Sequence, residues 1–194
     1  MDTLIFATNN QHKVDEIRQV PGILFNIITL KEAGIDIDIP EPFDTLEANA
    51  SHKSGTIYKL TQKDCFSEDT GLEVAILNGE PGVKSARYSG EHRSFKANVE
   101  KLLKNMGTAE DRSARFRTVI SLIKAGKEIQ FEGICEGHII MEERGAGGFG
   151  YDPVFVPLGG KQTFAEMSTT EKNAFSHRKK AMDKLISFLQ SVKQ

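Results

Sequence analysis

Residues Gly145 to Pro153 read Gly-Ala-Gly-Gly-Phe-Gly-Tyr-Asp-Pro, with four glycines in six positions. Such a run lets the backbone take positive φ and approach a ligand closely, at an entropic cost that a simple connector does not need. Phe149 and Tyr151 add π-faces on which a base can stack, and Asp152 adds a fixed acceptor. Glycines 145, 147 and 150 also match the dinucleotide fingerprint, but that fingerprint requires a helix directly after it. Here Pro153-Val-Phe-Val-Pro157 follows, which reads as a short strand between prolines. The stretch is therefore expected to cradle a base or a phosphate, and not to form a Rossmann turn.

Three further clusters have chemical potential. Thr8-Asn9-Asn10-Gln11-His12-Lys13 joins a first strand to a first helix. Backbone N–H groups at a helix start favour an anion and Lys13 adds a mobile positive charge; the same residues also suit an ordinary turn with an N-cap Asn. Ser67-Glu68-Asp69-Thr70-Gly71-Leu72 sets two carboxylates side by side at a strand end. Adjacent like charges call for a cation, and hard oxygen ligands suit Mg²⁺, whereas a solvated acidic turn needs none. Lys172 to Arg178 offers cations and an imidazole beside a helix start that Ser176 can cap, suited to phosphate or carbonyl oxygen or else to a solvated basic face. Lys53 is a further candidate cation.

Composition excludes several classes. Lys+Arg 25 against Asp+Glu 27 leaves a net charge of −2, without the basic excess of a nucleic-acid-binding domain. The crowding of cations around the motifs points instead to a small anionic ligand. Two cysteines, Cys65 and Cys135, do not make a disulfide framework and suggest a reducing compartment. No apolar run has membrane-spanning length and no basic leader opens the chain, so a cytoplasmic protein without a membrane partner is expected. There is no Walker loop and no Gly-x-Ser-x-Gly elbow. The histidines lie far apart, which argues against zinc; His52, His92 and His138 read as surface or packing residues.

The elements that must position these residues follow from periodicity. Strands are predicted at Leu4–Thr8 and Phe25–Leu30, with a helix between them ending at Pro21-Gly22 and an acidic, proline-containing loop over 31–43. Asp44-Thr-Leu-Glu47 has capping-box spacing and opens a helix to about Gln62. Cys65–Ser67 and Leu72–Leu77 are expected to flank a polar turn. Ser94–Met106 is amphipathic and stops at Gly107. Arg115–Lys124 and Glu128–Met141 read as a long antiparallel hairpin through Ala125-Gly126. Ser168-Thr-Thr-Glu171 is a second capping box, and Ala181, Met182, Leu185, Ile186, Leu189 and Val192 form the apolar stripe of a last helix. The order implies a single α/β domain over 1–194 with a mixed sheet, flanking helices and two lobes around a cleft.

Five stretches together resemble the inosine triphosphate pyrophosphatase family, which hydrolyses purine nucleoside triphosphates carrying deaminated bases. They are Ala7-Thr-Asn-Asn-x-x-Lys13, Glu68-Asp-Thr-Gly-Leu72, Pro81-Gly82 with Ser85-Ala-Arg-Tyr-Ser-Gly90, Gly147-Gly-Phe-Gly-Tyr-Asp-Pro153 and Ser176-His-Arg178, spanning nearly the whole chain. The resemblance implies an elongated mixed α/β fold with two lobes around a deep cleft, usually a homodimer. It makes Asp69 the catalytic carboxylate and a Mg²⁺ ligand, and Glu41 the second ligand. Glu68 stands where members more often have Asp, and its longer side chain would reach the metal through water. Thr8, Asn9, Asn10, Gln11, His12 and Lys13, with Lys53 and Lys172, would hold the triphosphate, and Thr70 joins the substrate-binding set. Phe149, Gly150, Tyr151 and Asp152, with His177 and Arg178, would hold the base, with backbone N–H groups or Arg178 facing a six-keto oxygen. Water activated by Asp69 or by the metal would attack the α-phosphorus of inosine, deoxyinosine or xanthosine triphosphate and expel pyrophosphate. A non-catalytic nucleotide-binding regulator and a broad triphosphate diphosphatase are the alternatives.

Overall fold

The apolar runs and helical stripes fold into a mixed α/β structure, described here over residues 2–192 of a computed structural model. Strands β1 (Thr3–Phe6), β2 (Asn26–Thr29), β3 (Cys65–Val74), β4 (Pro81–Gly82), β5 (Ser113–Lys124), β6 (Lys127–Ile139) and β7 (Phe155–Pro157) form one sheet. Its order is β2-β1-β3-β5-β6-β7, with β4 paired to β3. The β1–β2 and β1–β3 pairs are parallel, while β3–β4 and β6–β7 are antiparallel. The expected mixed sheet is thus present.

The chain divides into two compact units, neither a single stretch of sequence. The first comprises Met1–Asp69, Thr118–Gly133 and Arg178–Gln194. It contains helices α1 (Gln11–Arg18), α2 (Leu46–Thr61) and α5 (His177–Ser191, from its second residue). β1 is covered on both faces, so Leu4, Ile5 and Phe6 are all apolar and buried, as parallel strands require. Leu4 and Phe6 pack with Val14, Ile17, Met182 and Leu185, whereas Ile5 and Ala7 pack with Ile57 and Cys65. The Phe6 and Phe66 rings stack at 4.5 Å.

The second unit comprises Thr70–Arg117 and Ile134–His177 and contains α3 (Phe95–Met106) and α4 (Thr169–Phe175). Its core gathers Leu72, Val99, Leu102, Phe116, Tyr151, Phe155 and Phe164. Ser94 caps α3 and Gly107 ends it with φ +51°, while Ser168 and Glu171 complete the capping box of α4.

Two local expectations are corrected. The cap of α2 is Thr45, whose hydroxyl accepts from the Ala48 N–H, and not Asp44; Glu47 then lies in the first turn, where a negative charge suits the helix dipole. The polar turn expected between Ser67 and Leu72 does not form. Cys65 to Val74 is one continuous strand, with Ser67, Glu68 and Asp69 buried because helices cover them.

Gly71 shows how tightly that strand is enclosed. A Cβ there would stand 2.5 Å from the Gly82 carbonyl oxygen, since β4 pairs alongside β3 from the next residue on. Gly71→Ala is therefore expected to destabilise by about 1–3 kcal/mol, the scale of overpacking a close contact. Thermal unfolding checks it, and an unchanged melting temperature would mean that β4 yields freely.

Candidate active site

In the first unit the site is organised by β3, whose consecutive side chains point to opposite faces. Phe66 and Glu68 share one face, and there Glu68 is 1% exposed. Arg178 at the start of α5 grips it bidentately, Nε to Oε2 at 2.8 Å and Nη2 to Oε1 at 2.9 Å. Lys13 on α1 reaches Oε1 at 3.1 Å. Burial opposes ionisation of Glu68, but Arg178 and Lys13 outweigh it and hold the carboxyl well below the usual range. Arg178 is itself 2% exposed and also contacts Glu16.

Cys65, Ser67 and Asp69 face α2. The Cys65 thiol donates to the Ser54 carbonyl at 3.3 Å, and the Ser67 hydroxyl to the Ala50 carbonyl at 2.5 Å. Lys53 continues the series, its Nζ lying 3.1 Å from Asp69 Oδ1 and 2.6 Å from Glu41 Oε1. Burial raises the Asp69 pKa above its ordinary value, Lys53 and Lys13 only partly countering, and Glu41 adds to the rise. Burial pulls Lys53 down, but Asp69 and Glu41 more than offset it, so the ammonium stays charged. Asp69 Oδ2 is buried and meets no hydrogen-bond donor among the described residues.

The strand-to-helix turn after β1 is built by its own side chains. Thr8 Oγ1 accepts from the Asn10 N–H at 3.1 Å, and Asn10 Oδ1 caps α1 by accepting from the Lys13 N–H at 3.3 Å. Asn9 donates to the Ile37 carbonyl, Gln11 donates to Asp15, and His12 is exposed.

In the second unit the glycine-rich loop closes on Asp152. Its Oδ2 accepts from the Phe149 N–H at 2.9 Å and from Lys172 Nζ at 2.6 Å. Lys172 lies 5.4 Å from the centre of the half-buried Phe149 ring. Tyr151 is 3% exposed and donates to the Ser85 carbonyl at 2.8 Å. His177 is buried and stacks on Phe116 at 4.7 Å. No α-helix follows the glycines; a short 3₁₀ turn over Asp152–Val154 leads into β7, consistent with the exclusion of a Rossmann turn.

Comparison with known proteins adds to this geometry. The sequence profile described as the Ham1 family matches residues 4–188. This chain belongs to the Ham1 family. It is 49% identical over 194 residues, and over all of both chains, to a Porphyromonas gingivalis protein named dITP/XTP pyrophosphatase. A Christiangramia forsetii protein of the same name is 45% identical over 186 residues, covering 96% of this chain and 98% of the relative. The solved structure of the Staphylococcus aureus Ham1 protein superposes with a TM-score of 0.88 at 38% identity, covering 98% of this chain and 99% of that one.

Within the Ham1 fold, the residues anticipated from sequence divide into separate groups. Lys13, Glu68 and Arg178 form one; Glu41, Lys53 and Asp69 a second; Phe149, Asp152 and Lys172 a third. Lys172, expected on the triphosphate with Lys13, pairs with Asp152 because α4 carries it against the glycine-rich loop. Arg178, expected to face the base, pairs with Glu68 and Glu16. Both Glu68 oxygens are thereby paired with cations. Tyr151 and His177 are packed into the core, not presented as faces. Thr70 is half-buried on β3. Sequence reading missed Glu16, although Lys13-x-x-Glu16 puts it on the Lys13 side of α1.

The Glu68 pair yields a stability prediction. Its folded pKa lies below the ordinary value of 4.5, so its contribution is present above that pH and is lost as pH falls toward the folded value. Glu68→Gln is expected to cost about 3–5 kcal/mol at neutral pH, leaving Arg178 short of a buried counter-charge. It should also flatten the fall of melting temperature between pH 7 and acid. Equal pH slopes in the two proteins would remove Glu68 as an acid-sensitive anchor.

Proposed function

We propose that this Ham1 protein is a nucleoside triphosphate pyrophosphatase that hydrolyses deaminated purine nucleoside triphosphates, dITP, ITP and XTP, to the monophosphate and pyrophosphate. The reading is supported by family membership and by relatives named dITP/XTP pyrophosphatase. The observation that carries it is Asp69, a buried carboxylate steadied through Oδ1 by Lys53 with Oδ2 left without a donor. By the resemblance, the protein acts as a cytoplasmic homodimer.

The donor set fits Mg²⁺, which takes hard oxygen ligands and usually keeps several waters beside one or two carboxylates. Asp69 and Glu41 touch the same ammonium, which sets two hard carboxylates side by side where a cation could be held. Among the described residues no group of three His, Cys, Asp or Glu side chains gathers, so phosphate and water would complete the shell. When bound, the cation supplies positive charge against the triphosphate.

The remaining roles belong to the chain. Thr8 to Lys13 present backbone N–H groups and a cation at the start of α1, and with Lys53 they bind and orient the phosphates. Asp69 takes a proton from water as its oxygen bonds to the α-phosphorus, and the bond from that phosphorus to the bridging oxygen breaks to release pyrophosphate. Its raised pKa makes it a better base than an exposed aspartate. Lys53 holds Oδ1, so the proton goes to Oδ2. Phe149 stacks on the base, and Asp152 with the loop backbone sets the polar edge it meets. Glu68 acts through Arg178 and Lys13 as a positioning residue.

Incubation with inosine, xanthosine, guanosine and adenosine triphosphates and Mg²⁺, assaying pyrophosphate and orthophosphate separately, tests this reading. Pyrophosphate from the first two is expected. Orthophosphate with a diphosphate overturns the bond assignment, hydrolysis of all four alike favours a broad diphosphatase, and binding without hydrolysis favours a regulator. Asp69→Asn should lower turnover by ~10²-fold or more, the scale of losing a general base. EDTA should abolish activity and added Mg²⁺ restore it. Activity within a few-fold of the parent in the Asn variant would remove Asp69 from the mechanism.

A further inference from the structure

The two aromatic side chains of the glycine-rich loop differ in exposure. Tyr151 is 3% exposed, and its hydroxyl is spent on the Ser85 carbonyl. Phe149 is only half-buried, and a second ring stands beside it from a different element. Phe95, the first residue of α3, is 39% exposed with its ring centroid 6.0 Å from that of Phe149 and tilted 47° to it. We infer that Phe95 is the second aromatic wall of the base subsite and makes that subsite select bicyclic over monocyclic bases. This rests on the reading that Phe149 takes the base.

The geometry argues for a corner and not for a sandwich. A base between two parallel rings needs about 7 Å between their planes, twice the ordinary stacking distance, and rings tilted with centroids 6.0 Å apart do not provide it. A tilted pair instead offers one face and an adjoining wall. A purine lying on Phe149 extends far enough for its second ring to meet Phe95, whereas a pyrimidine covers Phe149 alone.

Both walls are held before any ligand arrives. Ser94 caps α3 by accepting from the Ala97 N–H at 3.3 Å, fixing the turn that carries Phe95. Phe149 is held through its N–H by Asp152, whose Oδ2 also binds Lys172. The position of Phe95 also lies outside every glycine, carboxylate and cation motif, which is why motif reading passes over it.

The chain contains no tryptophan, so Phe95→Trp creates a single fluorescent reporter at this position. Titration with inosine monophosphate should change its emission saturably, while cytidine monophosphate and inorganic tripolyphosphate at equal concentrations should not. No response to the purine, or an equal response to either control, overturns the proposal. Phe95→Ala should raise KM for inosine triphosphate about tenfold, the scale of a lost stacking contact, with kcat and melting temperature essentially unchanged. Phe95→Tyr should restore KM. An unchanged KM in the Ala variant, or a KM loss that tracks a fallen melting temperature, assigns Phe95 to packing alone. If the parent protein hydrolyses no purine triphosphate, the proposed activity falls while the tryptophan titration still decides the role of Phe95.

Discussion

Glu68 and Asp69 are consecutive on β3 and both are buried, at 1% and 5% exposure. An unpaired ion in such a place costs several kcal/mol even after relaxation, so each carboxylate must bring its own cation into the interior. The pleat sends the two to opposite faces, and therefore the cations must come from opposite sides. On one face Arg178 and Lys13 converge, tying α5 and α1 to the strand; on the other Lys53 does the same for α2. The apolar packing follows the same division, with Phe66 among α1 and α5 residues and Cys65 beside Ile57 of α2. Three helices of the first unit thus take their places around two adjacent charges.

The same arrangement divides the chemistry. Two neighbouring carboxylates in like surroundings would titrate together. Here burial opposes ionisation of both, but Glu68 meets a bidentate guanidinium and an ammonium, while Asp69 shares one ammonium with Glu41. Glu68 is driven down and Asp69 up. Environments that push paired groups apart are a physical signature of separated roles: one group stays ionised as an anchor and the other remains able to exchange a proton. In the proposed reaction Asp69 does the exchanging, because its Oδ2 has no internal donor to satisfy.

Much of this was legible in sequence, and what was not has definite causes. The parallel strands near the N-terminus, the amphipathic α3 with its Gly107 stop and the Ser168–Glu171 box appear close to where periodicity and capping put them. The polar stretch around Glu68 misled, since local composition reports exposure only when no helix arrives to cover it. That cover comes from residue 178, 110 positions away in sequence, and no local pattern carries such a contact. The carboxylates and cations were recognised as chemical types, but their pairing was not. Lys172 and Arg178 are six residues apart, yet one meets Asp152 and the other Glu68. Which cation meets which anion is decided by tertiary packing, which residue type leaves open.

The glycines of the 145–150 loop show a similar shift of cause. Their composition suggests a backbone bared for a ligand, but the space beside Gly145 and Gly148 is already used by the protein. A Cβ on Gly145 would collide with the Ala165 carbonyl, and one on Gly148, at φ +69°, with the Asp152 carboxylate. Backbone bonds from Gly147 N–H to the Ala165 carbonyl and from Ala165 N–H to the Asp152 carbonyl close the same region. The entropy cost of the glycines is therefore met during folding, and the loop is ordered before a ligand arrives. Pre-organisation of this kind raises affinity by reducing what binding must still order. For a stacking contact, which is directional only in the orientation of its face, fixing the Phe149 ring beforehand is the contribution the loop can make.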